Sequence, residues 1–461
     1  ALPIYDHAWA EKALAGDATY QDYYWMFDSR EIPDRFEQTL NQVFPNVAPG
    51  NFTFIKALDK WVMTTFYPFQ WDLNYGNPQV FNEMIDNLLY LANKGVDMIR
   101  LDAIPYIWKQ VGTPSRNLPE VHDVLALFNK IVELCAPSTA LLGEAIVEPE
   151  IIVTYFGTEK TSECHALYNA SFMVEIWNAI ATRDARHIAT MPYLKVPSTG
   201  SWINYARCHD DIGWGLDASR IQTLGFDPHA HKMYLIDFYH GALKDSFATG
   251  ELYEFNPETL DARNSGTLAS LAGLEKAIME KDRYQRELAI KRIELIHALF
   301  MFKRGVPMLY SGDEIAKLND YSYKENLEKS HDSRWLHRSE FSWNDVQLLG
   351  NHDDPKTIVF EGIKQLIDKR KQIYKDLTIK DEHAIKLSNF HVLGFHQIIL
   401  EDASSVILLF NCSEDRQWIY TSELKRQSEG GQWKEMISGK TVSFDDDSIL
   451  IGPYEIYLLQ K

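Results

Sequence analysis

The chain of 461 residues has few cysteines, no long apolar run and no excess of positive charge. Its four cysteines, Cys135, Cys164, Cys208 and Cys412, are far apart and lack metal-ligand spacing. That excludes a disulfide framework and fits a reducing, cytoplasmic compartment. No stretch reaches the roughly 18 apolar residues of a membrane span, and the N-terminus, ALPIYDHAWAEK, lacks the basic-then-apolar order of a secretory signal. Lys and Arg total 46 against 65 Asp and Glu, a formal net charge of −19. A nucleic-acid partner needs a basic face, so that class is set aside.

Aromatics are abundant: 12 Trp, 23 Tyr and 23 Phe. Most belong in a core of this size, though aromatic faces also stack on sugar rings. Residues 1 to 70 show weak periodicity and turn signals such as Pro49-Gly50-Asn51, and read as an irregular lobe. From Asn77 the pattern becomes helical, with Val80, Phe81, Met84, Ile85, Leu88, Leu89 and Leu91 on one face and Gly95 at the C-terminal end. GVDMIRLDA follows as a buried strand, then the helical PEVHDVLALFNKIVELC, then the strand TALLGEAI. SWINYARCHDD, VPMLYSGDE and the weaker ALYNASF are further strand candidates, with a helical stretch from 271 to 302. Strands alternating with helices predict a parallel α/β barrel over 71–385, interrupted by an irregular insertion at 215–265. From 386 to 461, runs such as HVLGFHQIIL and SSVILLFNC predict an antiparallel β-sandwich domain.

Three strand candidates end in an acid: Asp102, Glu144 and Asp210. In a parallel barrel the C-terminal strand ends carry the chemistry, so acids from successive strands converge there. One such acid is as readily a loop-start accident; three in order favour function. Paired carboxylates suit glycosidic-bond cleavage, one as nucleophile and one as proton donor. Arg100, two residues before Asp102, shares its strand face and would keep Asp102 ionised, although a plain structural ion pair reads the same way. Glu144 has no cationic neighbour in sequence, so the aspartates around it would raise its pKa as a general acid requires.

His-Asp occurs four times. His122-Asp123 sits in a helical pattern and reads as a surface pair, and His352-Asp353 as loop and capping chemistry before a proline. His331-Asp332 leads into Arg334, while His209-Asp210 alone ends a strand candidate.

GVDMIRLDAIPYIWKQ, LLGEAIVEPE, INYARCHDDIGW and HDSRWLHR resemble conserved regions of the α-amylase family of glycoside hydrolases, family 13, in the manner of amylosucrases and related sucrose-acting enzymes. WVMTTFYPFQWDLNYGNP, ECHALYNASFMVEIWNAIATR and NPETLDARNSGTLASLAG agree as well. The resemblance implies a (β/α)8 barrel with a C-terminal β domain and a retaining α-glucosyl enzyme. Asp102 becomes the nucleophile, Glu144 the acid/base and Asp210 the transition-state stabiliser. Arg100 and His209 bind in the glucosyl subsite, and Arg334 closes it by pairing with an aspartate, a role that an ordinary loop arginine would not have. No cofactor or catalytic metal is implied, and a structural calcium is left open. The implied substrates are sucrose and an α-glucan, with maltodextrin hydrolysis, or a non-catalytic carbohydrate-binding role, as alternatives.

The resemblance also implies three barrel strands upstream of the lobe, with the region that ends in Asn-His, and they have no counterpart here. Five strand candidates stand where a closed barrel has eight. The expectation is an incomplete barrel whose missing N-terminal segment also holds the aspartate partner of Arg334.

Overall fold

In a computed structural model the described residues are 6–461, except 348, 376–378, 401–403, 427 and 429. They form two compact units, one of Ala1–Tyr168 with Leu194–Ser201 and one of Asn169–Tyr193 with Trp202–Lys461.

The first unit opens with helices and a three-stranded antiparallel sheet in the order β1-β3-β2, of β1 (Met26–Phe27), β2 (Phe52–Ile55) and β3 (Lys60–Met63). The segment expected to be irregular thus contains regular structure. Its two- to four-residue strands are too short to show periodicity. Tyr23, Tyr24, Val62, Trp71 and Val80 bury a core against it.

The α/β pattern then appears as read. Helix α1 (Pro78–Asn93) has Asn77 as N-cap and proline at its start, and Gly95 beyond its end takes φ +87°. Strand β4 (Met98–Leu101), helix α2 (Pro119–Cys135) and strand β5 (Ala140–Gly143) make one β-α-β unit, with β6 (Ala166–Tyr168) parallel to β5. Ile85, Leu88, Ile99, Val124, Phe128, Val132 and Leu141 pack as the core between helices and strands.

The second unit contains helix α3 (Ala170–Thr182), strand β7 (Ser201–Asn204) and strand β10 (Val306–Pro307), the last two paired in parallel. Helix α3 is buried on nearly every side from Phe172 to Ala181. The insertion at 215–265 holds more order than expected. Helix α4 (Pro228–His240) carries complete punctuation, with Asp227 as N-cap, Pro228 first and Gly241 in the left-handed region. Strands β8 (Glu251–Tyr253) and β9 (Arg263–Ser265) form a hairpin. The helical stretch from 271 to 302 is broken where Lys281 takes φ +57° and Asp282 caps a new helix, α5 (Arg283–Met301). Helix α6 (Pro355–Tyr374) follows.

The β domain begins at 379, seven residues before the expected boundary. Its six-stranded sheet has the order β11-β12-β13-β18-β15-β16, of β11 (Ile379–Ala384), β12 (Val392–Ile399), β13 (Ser405–Asn411), β15 (Gln432–Glu435), β16 (Thr441–Ser443) and β18 (Ile456–Gln460). A two-stranded sheet pairs β14 (Gln417–Tyr420) with β17 (Ser448–Ile451). Ile407, Leu409, Ile419, Trp433, Phe444 and Leu459 fill the space between the sheets, as expected of a sandwich. Glu382 of β11 ties the domain to the rest of its unit by accepting from Arg304 N–H and the Gln397 amide and by pairing with Lys303. Among the described residues, no helix is long and apolar enough to cross a membrane.

Candidate active site

In the first unit, β4 and β5 run in register, with Leu101 opposite Gly143. The next residues, Asp102 and Glu144, therefore leave adjacent strand ends. The Glu144 N–H donates to Leu101 O at 2.9 Å. Gly143 has no room for a side chain: a Cβ there would lie 2.7 Å from both Cys164 Sγ and Ile104 Cδ1. That crowding seats Glu144 firmly. The chain turns just after Asp102, where Ala103 takes φ +52° and its N–H donates to Glu144 Oε2 at 2.8 Å.

Arg100 Nη1 lies 2.7 Å from Asp102 Oδ1, and its Nη2 lies 3.7 Å from Glu144 Oε1. Tyr168, at the end of β6, places its ring centroid 5.9 Å from the guanidinium carbon. Burial opposes the charge on Arg100, but the two carboxylates outweigh it and raise its pKa. The expectation that Glu144 lacks a cationic partner is thus corrected: it shares Arg100 with Asp102. Sequence distance hid this, because strand pairing brings Glu144 beside a residue 44 positions away. The Asp102 side chain is 65% exposed and that of Glu144 18%, so one acid is open to solvent and the other is enclosed.

In the second unit, β7 ends at Asn204, so Asp210 does not terminate a strand as expected. It lies six residues further on, in a loop fixed by side chains. Buried Arg207 donates from Nε to Gly266 O at 3.1 Å and from Nη2 to Asp210 O at 2.9 Å. Arg338 donates from Nη2 to Asp210 Oδ1 at 3.0 Å and from Nε to His209 O. His209 Nε2 lies 3.4 Å from Asp210 Oδ2.

His337 accepts from Gly266 N–H on Nδ1 and donates from Nε2 to His209 O at 3.1 Å. Burial, with the charge of Arg207, holds its pKa well below the usual histidine range, so it is a neutral spacer. Next to Asp210, burial pushes the Asp211 carboxyl up, partly offset by Arg263 at 3.4 Å.

Arg334 is buried and does pair with an aspartate, Asp332, two residues before it. Nε and Nη2 lie 2.9 and 2.8 Å from the two carboxylate oxygens. Its Nη1 lies 3.5 Å from Asp210 Oδ1, and its guanidinium carbon is 4.5 Å from the centroid of Tyr253. Burial works against ionisation of Asp332, but the hydrogen bonds and charge of Arg334, helped by Arg338, hold its carboxyl below the usual range. A partner in an absent segment is therefore not required to neutralise Arg334. Asp332, His337 and Arg338 escaped the sequence reading, although all three lie in or beside the quoted HDSRWLHR.

The other His-Asp pairs fall outside this arrangement. His122 is not a bare surface residue, since its Nδ1 lies 2.8 Å from buried Glu163 and its ring 4.8 Å from that of Tyr155. At 352–354 the capping carboxylate is Asp354, which accepts from Lys356 N–H. Among the described residues, one group has donors close enough to share a metal ion: those of Cys208, His209 and Asp210 lie within 4.8 Å of one another. Burial pushes the Cys208 thiol up to about 11, which opposes the thiolate a metal would need.

Residues 4–206 match the family described as alpha amylase, catalytic domain, a segment that includes Asp102 and Glu144 and stops just before His209. Over this segment the chain matches the α-amylase family. Among similar proteins, a glucosylglycerate phosphorylase of Spirochaeta thermophila is 26% identical over 98% of this chain and 74% of its own length. A trehalose synthase/amylase of Mycolicibacterium smegmatis is 30% identical, over 67% of this chain and 46% of its own length. The chain thus spans less than half of that second relative. Sucrose 6F-phosphate phosphorylase from Thermoanaerobacter thermosaccharolyticum superposes with a TM-score of 0.62 at 16% identity, over 96% of this chain and 80% of that one. A trehalulose synthase, MutB, gives 0.62 at 15%, over 99% and 81%. These likenesses give the fold class, the family's (β/α)8 barrel with a C-terminal β-sheet domain.

Proposed function

We propose that this protein is a retaining α-glucosyl enzyme that cleaves sucrose and passes the glucosyl group to an α-glucan or to water. The observation that carries this reading is Arg100 shared by two carboxylates on adjoining strand ends. Neighbouring strands lie ~4.8 Å apart. Carboxyl groups leaving equivalent positions there suit the separation of about 5–5.5 Å that retaining enzymes use.

The Asp102 carboxylate attacks the anomeric carbon as the bond to the fructosyl oxygen breaks, and Glu144 gives its proton to that oxygen. Fructose departs and a glucosyl ester remains on Asp102. Glu144 then takes the proton of the incoming hydroxyl, whose oxygen displaces Asp102. Two inversions leave the α configuration unchanged. Asp210 stabilises the positive charge that develops on the sugar ring, and Arg100, His209 and Arg334 bind the glucosyl hydroxyls. This chemistry needs no metal or cofactor, because carboxylates supply the nucleophile and the proton.

The match of the glucosylglycerate phosphorylase over nearly the whole chain favours a second reading, in which inorganic phosphate is the acceptor. The paired arginines 334 and 338 beside Asp210 suit an anionic acceptor. We also infer that the barrel is completed by a part of the protein outside these 461 residues. Support comes from the strand count: three parallel strands in one unit and two in the other, among the described residues. The four unpaired cysteines fit a cytoplasmic setting.

The deciding experiment incubates the protein with sucrose, with and without inorganic phosphate. Fructose, glucose, glucan and glucose 1-phosphate are measured separately. Fructose release with glucan or glucose, independent of phosphate, supports transfer and hydrolysis, whereas glucose 1-phosphate in step with fructose supports phosphorolysis. Maltodextrin cleavage without fructose release from sucrose would overturn both, and inactivity on every glucoside would leave a binding protein.

A further inference from the structure

Besides the loop group of Cys208, His209 and Asp210, the β domain holds a pair of imidazoles that no proposed step uses. His383 of β11 stands directly opposite His396 of β12 in the strand register, so the two side chains leave the same face of the sheet. His396 Nδ1 lies 3.4 Å from His383 Nε2, and the rings meet at 80°.

The two outer nitrogens are both held. Asp381 Oδ2 lies 3.8 Å from His383 Nδ1, and Ser405 Oγ of β13 lies 2.5 Å from His396 Nε2. The carboxylate draws the His383 proton to Nδ1, which leaves a lone pair on Nε2, the nitrogen nearest His396. Burial, with His383 alongside, lowers the His396 pKa and keeps that ring neutral. When its Nε2 carries the proton toward Ser405, its Nδ1 also offers a lone pair, and the two inner nitrogens call for a cation between them. A carboxylate or hydroxyl on the far nitrogen is the support that fixes the tautomer and orientation of a metal-bound histidine.

The separation selects the ion. Two nitrogens 3.4 Å apart, each about 2.05 Å from a metal, subtend about 110° there, which is the tetrahedral angle that zinc takes. Square-planar copper or nickel needs adjacent ligands at about 90°, hence about 2.9 Å apart. Calcium and magnesium need oxygen ligands. His396 is 5% exposed but the His383 side chain is 41% exposed, so an ion enters from the β11 side and water completes its coordination.

The strand that such an ion would hold is an edge strand, and its register with β12 shifts between Ile379 and Asp381. The residues next to the two histidines, Glu382 and Gln397, reach Lys303 and Phe302 O. We propose that His383 and His396 bind a zinc ion across β11 and β12, fastening the edge strand that ties the β domain to residues 302–304. The site uses none of the residues assigned to glucosyl transfer, so the proposal does not rest on that assignment.

Isothermal titration of the full chain with zinc chloride, run beside magnesium chloride, tests it. One saturable zinc event is expected and none with magnesium, and zinc should raise the melting temperature. Asp381→Asn should weaken zinc binding about tenfold, as loss of such a support does. His383→Ala, at a half-exposed position on the edge strand, should remove both the binding and the rise in melting temperature. No saturable zinc binding in the unaltered chain would overturn the site. Zinc binding that is intact in His383→Ala but lost in His209→Ala would give the ion to the loop group, and would overturn it as well.

Discussion

Arg338 Nη2 and Asp210 Oδ1 lie 3.0 Å apart although 128 residues separate them, and the same arginine holds His209 O. One side chain thus fixes the backbone and the carboxylate of the pair proposed to act on the glucosyl ring. Arg338→Met should lower kcat for sucrose cleavage about 100-fold, since a carboxylate misplaced by an ångström costs that much, with a smaller change in KM. Arg338→Lys keeps the charge but loses the fork, and should recover only part of the rate. Equal loss in KM alone would make Arg338 a binding residue.

Asp102 and Glu144 sit on adjoining strands but are assigned different steps, and leaving-group chemistry separates them. Glu144→Gln should depress sucrose cleavage about 10³-fold, because the fructosyl oxygen then leaves unprotonated. With 4-nitrophenyl α-glucoside, whose leaving group needs no proton, release of nitrophenol should be far less affected. Asp102→Asn should abolish both reactions, since it removes the nucleophile. Parallel loss on both substrates in the two variants would overturn the division of roles.

What the sequence makes legible depends on how local the cause is. Asp102 and Glu144 each follow a short strand-like run, MIRL and ALLG, so their places just past strand ends are legible. Asp210 was legible as a motif, but its strand stops at Asn204, and long-range arginine contacts set its position instead. Asp332 and Arg338 could not be assigned because their partners are chosen by the fold. Helix α4 is not legible despite Asp227, Pro228 and Gly241, since the apolar residues of HKMYLIDFYH fall in the consecutive runs MYLI and FY and so form no single helical stripe. Strand β11 was missed because it is a polar edge strand, IKDEHA, irregular between Ile379 and Asp381.

Glu294, on α5, offers a test by pH. Burial pushes its carboxyl up to about 7, with Lys291 offsetting part of the rise, and Gly362 on α6 leaves it room: a Cβ there would overlap Glu294 Oε1. The folded state holds this proton more tightly than the unfolded chain does. Its contribution to stability is therefore fully present below the unfolded value of about 4.3 and is lost as pH rises toward 7. Glu294→Gln removes that loss. Its melting temperature should exceed that of the unaltered protein by a margin that grows from pH 4.5 to 7 and then levels off. A constant margin across that range would show that Glu294 does not titrate there.

Glu175, 1% exposed on α3, holds two side chains at once: Oε2 lies 2.5 Å from His187 Nδ1 and Oε1 lies 2.5 Å from Arg220 Nη2. Arg220 also donates to His187 O, so the three residues close a ring that pins the segment after α3 to the start of the insertion. Glu175→Ala leaves the half-buried Arg220 guanidinium to the more distant Asp217, 3.4 Å from its Nε, and opens a cavity in a helix packed on nearly every side, and should cost about 3 kcal/mol in urea unfolding. The double variant Glu175→Met, Arg220→Met removes both charges and refills the volume. It should recover a large part of that loss, because an apolar pair can replace a buried ion pair at little cost. A double variant as unstable as Glu175→Ala would show that the hydrogen bonds to His187, and not the unpaired charge, hold this region together.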